Sequence, residues 1–518
     1  MVLAASIPPV WAADAGRKSA QADESDNVGR PKPSPEIIAA AEAQIRRAND
    51  AIQTNPKNSK AYAQRARGFE MLGDYDKAIT DFSTAIKLDD KIAADYVSRA
   101  YAFEAKRDYD SAIKDMSEAI RLQPKDAYGY VRRGRAFQRK HDYDHALADA
   151  DQAIKLDPNS AAAYGQRGEF FAEKGDYDKA TRDFEKALQI DPKNTLVRYF
   201  RAGMRMKQED FDAAIDDLNE LIKLEPNSAY GYTARGAAWL QKGDCEAALK
   251  DLTEAILIDP NSPLPYYERG YAWQKKHSTD SAIEDFNTAI RIDPKYARPY
   301  VGRGYSLSKK GRFDDAIKDI SNGLRLAPRD ARILVVRASV WEKMHKLDDA
   351  LKDLADAIQI DPKLSPAYNL RGNVFEKKGD YAAAAKDLNE AMRLESKHSA
   401  AAYNSFAWLY ATCPDARFRD GAKALEYARH ACEVTKSQEW ADLDTLAAAY
   451  AETADFANAV KTEEQAIHLA AEDPDVPKMQ GRLALYKAGK PFRERLSGEV
   501  PAKPAEKIPA AQKGQAKE

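Results

Sequence analysis

Apolar and polar residues follow a helical period along most of this chain, and the pattern returns every 34 residues. Proline marks the period at 56, 124, 158, 192, 226, 260, 294, 328 and 362, with every gap 34 or 68 and Asp90 in the skipped slot. Units of 34 cut from Ser59 stay in register ten times, to His398, without an insertion or deletion. The fourth place of a unit reads Tyr62, Tyr96, Tyr130, Tyr164, Arg198, Tyr232, Tyr266, Tyr300, Leu334 and Tyr368. The eighth place is always Gly or Ala, and the eleventh is mostly aromatic (Phe69, Phe103, Phe137, Trp239, Trp273). A second apolar set begins at an Ala found in every unit, from Ala78 to Ala384, and runs on through Ala85, Ile86, Leu88 and their equivalents. Each unit therefore predicts a helix, a tight turn and a second helix, with small residues at the eighth and twentieth places letting the two backbones approach.

The turn has its own chemistry. Gly73, Gly175, Gly243, Gly311 and Gly379 hold a place suited to left-handed backbone, where glycine meets no Cβ clash. His141, His277 and His345 substitute there, a residue type tolerated at positive φ. The following Asp (Asp74, Asp108, Asp142, Asp176) is a natural N-cap for the second helix. Proline near the unit's end stops that helix, and Asn58, Asp126, Ser160 or Ser228 caps the next.

An aromatic, a Leu-Gly-like small place, then Tyr, Ala, Phe, Ala and Pro at set positions in 34 residues resembles the tetratricopeptide repeat, or TPR. The resemblance implies an all-α solenoid of antiparallel helix pairs wound into a right-handed superhelix, with the first helix of each pair lining a concave groove. On this reading 1–34 is a disordered N-terminus, 35–58 an N-terminal capping helix and 59–398 the ten units. Two variant units follow over 399–472, then a C-terminal capping helix over 473–497 and a disordered tail over 498–518. The phrases Ala407–Asp415, Leu443–Glu452 and Gly489–Glu494 resemble the C-terminal TPR segment of large bacterial repeat proteins, which suggests a bacterial origin and brings no activity with it.

Charge narrows the function. Lys and Arg number 80 against 82 Asp and Glu, which argues against a nucleic-acid binder with its basic excess. No run approaches the length of apolar sequence that a membrane-spanning helix needs. Three cysteines are too few for a disulfide framework: Cys413 and Cys432 are expected as free, packed thiols and Cys245 as core filler. P-loop, Gly-Xaa-Ser-Xaa-Gly, His-Glu-Xaa-Xaa-His and EF-hand motifs are absent from the sequence, so no catalytic residue, cofactor or metal is assigned. His141, Asp142, Asp144 and His145 fall on one surface turn, where neighbouring units carry Gly and Lys, and not on a convergent ligand set.

An Arg at the seventh place (Arg65 to Arg371) and an Asp at the twenty-third (Asp81 to Asp387) recur in all ten units. A pair present in every unit is structural, since catalysis needs one site. It predicts a ladder of ion pairs between the two helices of each unit, with pairing to the adjacent unit as the alternative, its rungs partly exposed and setting the register of the stack.

The resemblance places the second, fifth, ninth and twelfth residues of the first helix on the groove. Those places include Arg67, Tyr101, Tyr128, Arg135, Tyr199, Tyr230, Tyr267, Tyr271 and Tyr305, and Tyr and Arg are the types that carry binding energy at interfaces. The carboxylate clamp of chaperone-binding TPRs needs Lys at the fifth place, which reads Ala63, Val97, Val131, Gly165, Tyr199, Thr233, Tyr267, Val301, Val335 and Asn369. The expected function is a non-catalytic scaffold that holds an extended peptide or helix of a partner protein in the groove. The alternative is a regulatory or substrate-recruiting subunit of an enzyme complex.

Val2–Ala12 followed by Ala13-Asp14 resembles the end of a secretory signal, without the basic start and full apolar core, as a start codon placed too far downstream would produce. The expected address is the periplasm or outside the cell, the alternative the cytoplasm. Sequencing the N-terminus of the native protein is expected to begin at Ala13; a mature chain starting at Met1 counts against export.

Overall fold

A computed structural model describes residues 34–394, 400–471, 473 and 475–494. These residues form twenty-six α-helices and no β-strand. Residues 1–33, with the stretch expected to carry the address, and the tail 498–518 lie outside the described residues, while Ser34 caps the first helix through Ile37 N–H. The chain divides into two compact units, one centred on residues up to 312 and the other on residues from 328 onward.

The fourth repeat illustrates how sequence becomes a helix pair. Ser160 accepts from Ala163 N–H and starts the first helix, Ala161–Lys174. Gly175 ends it in left-handed backbone at φ 81°, and Asp176 accepts from Lys179 N–H to start Tyr177–Ile190. A Cβ on Gly175 would meet nothing within 4 Å, so only backbone conformation requires glycine there. Gly168 is the opposite case: its Cβ would lie 2.9 Å from the Phe184 ring and 3.2 Å from Ala180 O, so close helix approach requires it. His141, His277 and His345 do take positive φ (59°, 60° and 56°), and so do Arg107 and Glu209, both at 62°.

The core repeats with the sequence. The twentieth-place alanines, Ala78 to Ala384, and the twenty-fourth-place residues, Phe82 to Leu388, are all fully buried. Where the third repeat has only Ala150 at the twenty-fourth place, Phe170 reaches in from the next repeat and is itself 0% exposed. The volume lost in one unit is thus returned by its neighbour, as close packing demands.

The Arg–Asp pair joins the two helices of one repeat. Nine rungs, from Arg65–Asp81 to Arg371–Asp387, are bidentate, with N···O distances of 2.5–2.9 Å. Arg303 and Asp319 belong to different compact units. The rungs are more desolvated than expected: the Asp149 side chain is 7% exposed beside 22% for Arg133. The guanidinium also has a third engagement. Its Nη1 donates back to the second helix of the preceding repeat, from Arg99 to Ser83 Oγ at 3.0 Å, Arg167 to Asp151 at 2.7 Å and Arg235 to Asn219 at 2.7 Å. The fourth-place tyrosine closes the site, with the Arg133 guanidinium carbon 5.8 Å from the Tyr130 ring centre.

The helix Pro35–Thr54 packs on Ser59–Met71 like the second helix of a repeat, and its Asn49 takes the Nη1 donation of Arg65 at 2.8 Å. Beyond the tenth repeat come Ala401–Thr412, Gly421–Val434, Trp440–Glu452, Phe456–Ala470 and Val476–Lys487. All three cysteines are free, Cys413 and Cys432 buried and Cys245 partly so.

Asp149→Ala strands a largely buried guanidinium and is expected to cost about 2–4 kcal/mol locally, since breaking such a pair exceeds its net worth. The double variant Arg133→Met, Asp149→Leu should recover at least half of that. Hydrogen exchange of the amides in residues 127–156 measures both, because a repeat array opens locally; equal losses for single and double variants would contradict this account.

Candidate functional site

A second set of polar contacts runs from one first helix to the next. In the first compact unit, Arg67 meets Asp95 at 3.4 Å, Arg132 meets Glu104 at 2.6 Å, Gln138 donates to Glu169 at 2.7 Å and Lys207 meets Glu173 at 2.9 Å. In the second, Lys377 meets Glu342 at 2.9 Å. Each contact joins consecutive repeats, so the first helices carry a charged seam of their own.

The seam is densest around the helices Ala93–Ala105, Ala127–Arg139 and Ala161–Lys174. The Arg132 guanidinium lies over the Tyr101 ring at 5.6 Å while it pairs with Glu104. Burial raises the Glu104 carboxyl above the usual range, against the pull of Arg132, Arg135 and Arg139. Burial also raises Glu169, opposed by its bond from Gln138 and by Arg135 and Arg139. Glu104 Oε1 and Arg132 Nε are buried without a hydrogen-bond partner. Desolvated polar atoms of both signs at one place are costly unless something else meets them.

The structure sorts the nine sequence-predicted residues. Tyr101 and Arg135 belong to this cluster. Arg67, its side chain 44% exposed, lies one repeat earlier against Asp95. The second-place tyrosines are open: Tyr128 is 54% exposed and Tyr230 45%. Tyr230 donates its hydroxyl to Glu225 at 2.8 Å and meets Tyr199, half-buried, edge-on at 5.7 Å. Tyr267, Tyr271 and Tyr305 are buried, at 3%, 6% and 9% exposure. Tyr267 packs on Phe286 and Tyr296, and burial pushes the Tyr305 hydroxyl up to about 12. Removing Tyr267 and Tyr271 would probe packing more than binding.

Sequence reasoning missed Glu104, Arg132, Gln138, Glu169, Glu173 and Lys207. Their signal was available as charge or amide at the sixth, ninth, twelfth and thirteenth places of a helix otherwise read for its aromatics. It also missed a buried network at the C-terminal end. Arg482 donates two bonds of 2.8 Å to Asp444 and lies 3.6 Å from Glu463, which is fully buried. Burial, then the Asp444 charge, drives the Glu463 carboxyl far above the usual range.

His145 Nδ1 bonds Asp142 at 2.8 Å, while Asp144 turns to Lys174 at 2.6 Å. Among the described residues no group of three or more His, Cys, Asp or Glu could hold a metal ion.

Family models described as tetratricopeptide repeat match residues 63–127, 133–205, 205–263, 301–365 and 365–398. The chain belongs to the tetratricopeptide repeat family. Its TPRs make it, in general terms, a scaffold for contacts with other proteins. Similar solved structures include the APC/C hetero-tetramer Cut9–Hcn1, 13% identical over 86% of this chain and 94% of that one, with a TM-score of 0.48. A tetratricopeptide repeat protein from Parabacteroides merdae is 18% identical over 48% of this chain and 98% of its own, with a TM-score of 0.42. MamA is 28% identical over 32% and 96%, with a TM-score of 0.28. No curated protein matches the chain significantly.

Glu376 gives the TPR array a pH dependence. It is 7% exposed, and burial, helped by Glu494 and opposed by Lys377, pushes its carboxyl up to about 8 from 4.5. The folded state thus binds this proton more tightly than the unfolded state, so stability is full below pH 4.5 and declines as pH rises towards 8. Glu376→Gln should flatten the decline, read as local hydrogen exchange of residues 365–378 at pH 5 and pH 8; an unchanged slope would sink the assignment.

Proposed function

We propose that this TPR protein is a non-catalytic scaffold that lays an extended peptide or helix of a partner protein along its first helices. The cluster of Tyr101, Glu104, Arg132 and Arg135 is the principal contact. The observation that carries the reading is the cluster itself: Arg132 lies over the Tyr101 ring at 5.6 Å and pairs with Glu104 at 2.6 Å, with Arg135 and Arg139 beside them. Three arginines (Arg132, Arg135, Arg139) face two glutamates whose ionisation burial opposes, so the cluster favours an acidic stretch of the partner. Tyr128, on the same helix as Arg132, and Arg67, on the repeat before that of Tyr101, extend the surface.

No helix among the described residues is long and apolar enough to cross a membrane. For the address we keep the exported reading of Val2–Ala13, with the N-terminal sequencing above as its test.

The experiment is affinity capture with the full chain and with Arg132→Glu, Arg135→Glu. A control, Lys87→Glu, Lys155→Glu, alters charges on second helices. The inner-face variant is expected to lose its partner at least tenfold with helicity unchanged, and the control to keep it. Equal recovery by all three proteins would refute the reading.

A further inference from the structure

The chain leaves its last helix, Val476–Lys487, through Gly489 at φ 67°. Residues Pro491–Glu494 then run without helix or strand over the first helices of three consecutive repeats, Ser365–Lys378, Ala401–Thr412 and Trp440–Glu452. Glu494 N–H donates to Thr412 O at 2.9 Å, and Arg493 Nη1 donates to Ala411 O at 3.2 Å. Arg493 Nη2 pairs with Glu452 at 2.6 Å, whose other oxygen meets Arg419 at 3.3 Å. The Phe492 ring lies 5.9 Å from that of Trp408 and packs with Ala447, Ala451 and Tyr486. Arg482, held by Asp444, covers both rings, at 5.3 Å from Trp408 and 5.6 Å from Phe492. The Glu494 carboxylate accepts from Trp408 and feels Lys377.

This is how a short extended peptide would be held. The acceptors are last-turn carbonyls of one helix, groups that the helix itself leaves unused and that carry its negative end. With Glu452 beside them they select a cation, and the Trp408 and Arg482 faces select an aromatic ring next to it. The occupying segment is four residues long, stays partly exposed (the Arg493 side chain at 33%), and can lift off through Gly489 without moving a helix.

We propose that Trp408, the Ala411 and Thr412 carbonyls and Glu452 form a seat for an extended peptide bearing an aromatic residue followed by a basic one. Phe492 and Arg493 fill that seat in cis until a partner's segment displaces them. The proposal rests on the first helices being the partner surface, and it adds a second seat of different chemistry from the arginine cluster.

The probe is a labelled synthetic peptide with the sequence of residues 489–495, read by fluorescence anisotropy against the full chain and the full-length variant Phe492→Ala, Arg493→Ala. A tethered segment competes at an effective concentration of roughly millimolar. The variant should therefore bind the peptide at least tenfold more tightly than the parent. Glu452→Gln in the variant should weaken binding, and a peptide with Ala for Phe and Arg should not bind. A variant of full helicity that binds no better than the parent, or binds both peptides alike, overturns the proposal. Should the variant lose helicity, hydrogen exchange on the parent chain decides. Excess peptide must then speed exchange at the Glu494 amide while Ala401–Thr412 stays protected, and no change overturns the proposal. Failure here, with the arginine variant still losing its partner, removes this seat and leaves the scaffold reading standing.

Discussion

One guanidinium per repeat organises this protein. In most repeats the seventh-place arginine spends Nε and Nη2 on an aspartate of its own second helix and Nη1 on the second helix before it, with a tyrosine ring alongside. Three helices from two repeats are therefore fixed by one planar group. The fork geometry of arginine matters: two parallel bonds to one carboxylate define an angle as well as a distance, which a lysine ammonium would leave free. The apolar core supplies most of the favourable free energy, as burial does in any helical array. An alanine-rich interface is smooth, however, and smooth faces slide. The ladder's contribution is alignment.

The fifth repeat shows the arrangement under stress. Arg198 replaces the fourth-place tyrosine and Arg205 the eleventh-place aromatic, and both turn to the same carboxylate as Arg201. Asp217 thus faces three guanidinium groups, at 3.8, 2.5 and 2.7 Å. The ring stacking is lost while the rung persists, so the carboxylate is the fixed element and the aromatic flank is replaceable.

How much could be read from the sequence depended on repetition. The helix pair, the turn and the Arg–Asp rung were legible because each occurs at the same place in many units, and ten copies average out local exceptions. The backward bond of the arginine was not, since its acceptor varies among Ser83, Asp151, Asn219 and Thr253 and carries no single residue signature. The seam on the first helices was hidden for another reason: its partners lie in adjacent repeats and occur irregularly, with no fixed residue type. The depth of a tyrosine was equally illegible. Tyr128 and Tyr230 at the second place stay open, while Tyr267, Tyr271 and Tyr305 at the fifth and ninth sink, because the size of neighbouring side chains decides burial. The seat for Phe492 depends on a chain reversal at Gly489, which no periodic signal announces.

The backward bond also gives the array a direction. A ribosome delivers repeats from the amino end, so in most repeats a new arginine emerges to find its Ser, Thr, Asn or Asp acceptor already folded in the repeat before it. The helix Pro35–Thr54 provides Asn49 for Arg65, and growth can begin from a finished edge. Losses at the two ends are correspondingly unequal. Removing repeats from the carboxyl end leaves an acceptor, most often a neutral hydroxyl or amide, without its partner, whereas removing them from the amino end leaves an arginine one bond short. Gain and loss of repeats therefore meet less resistance at the carboxyl end of such a ladder than at its amino-terminal edge.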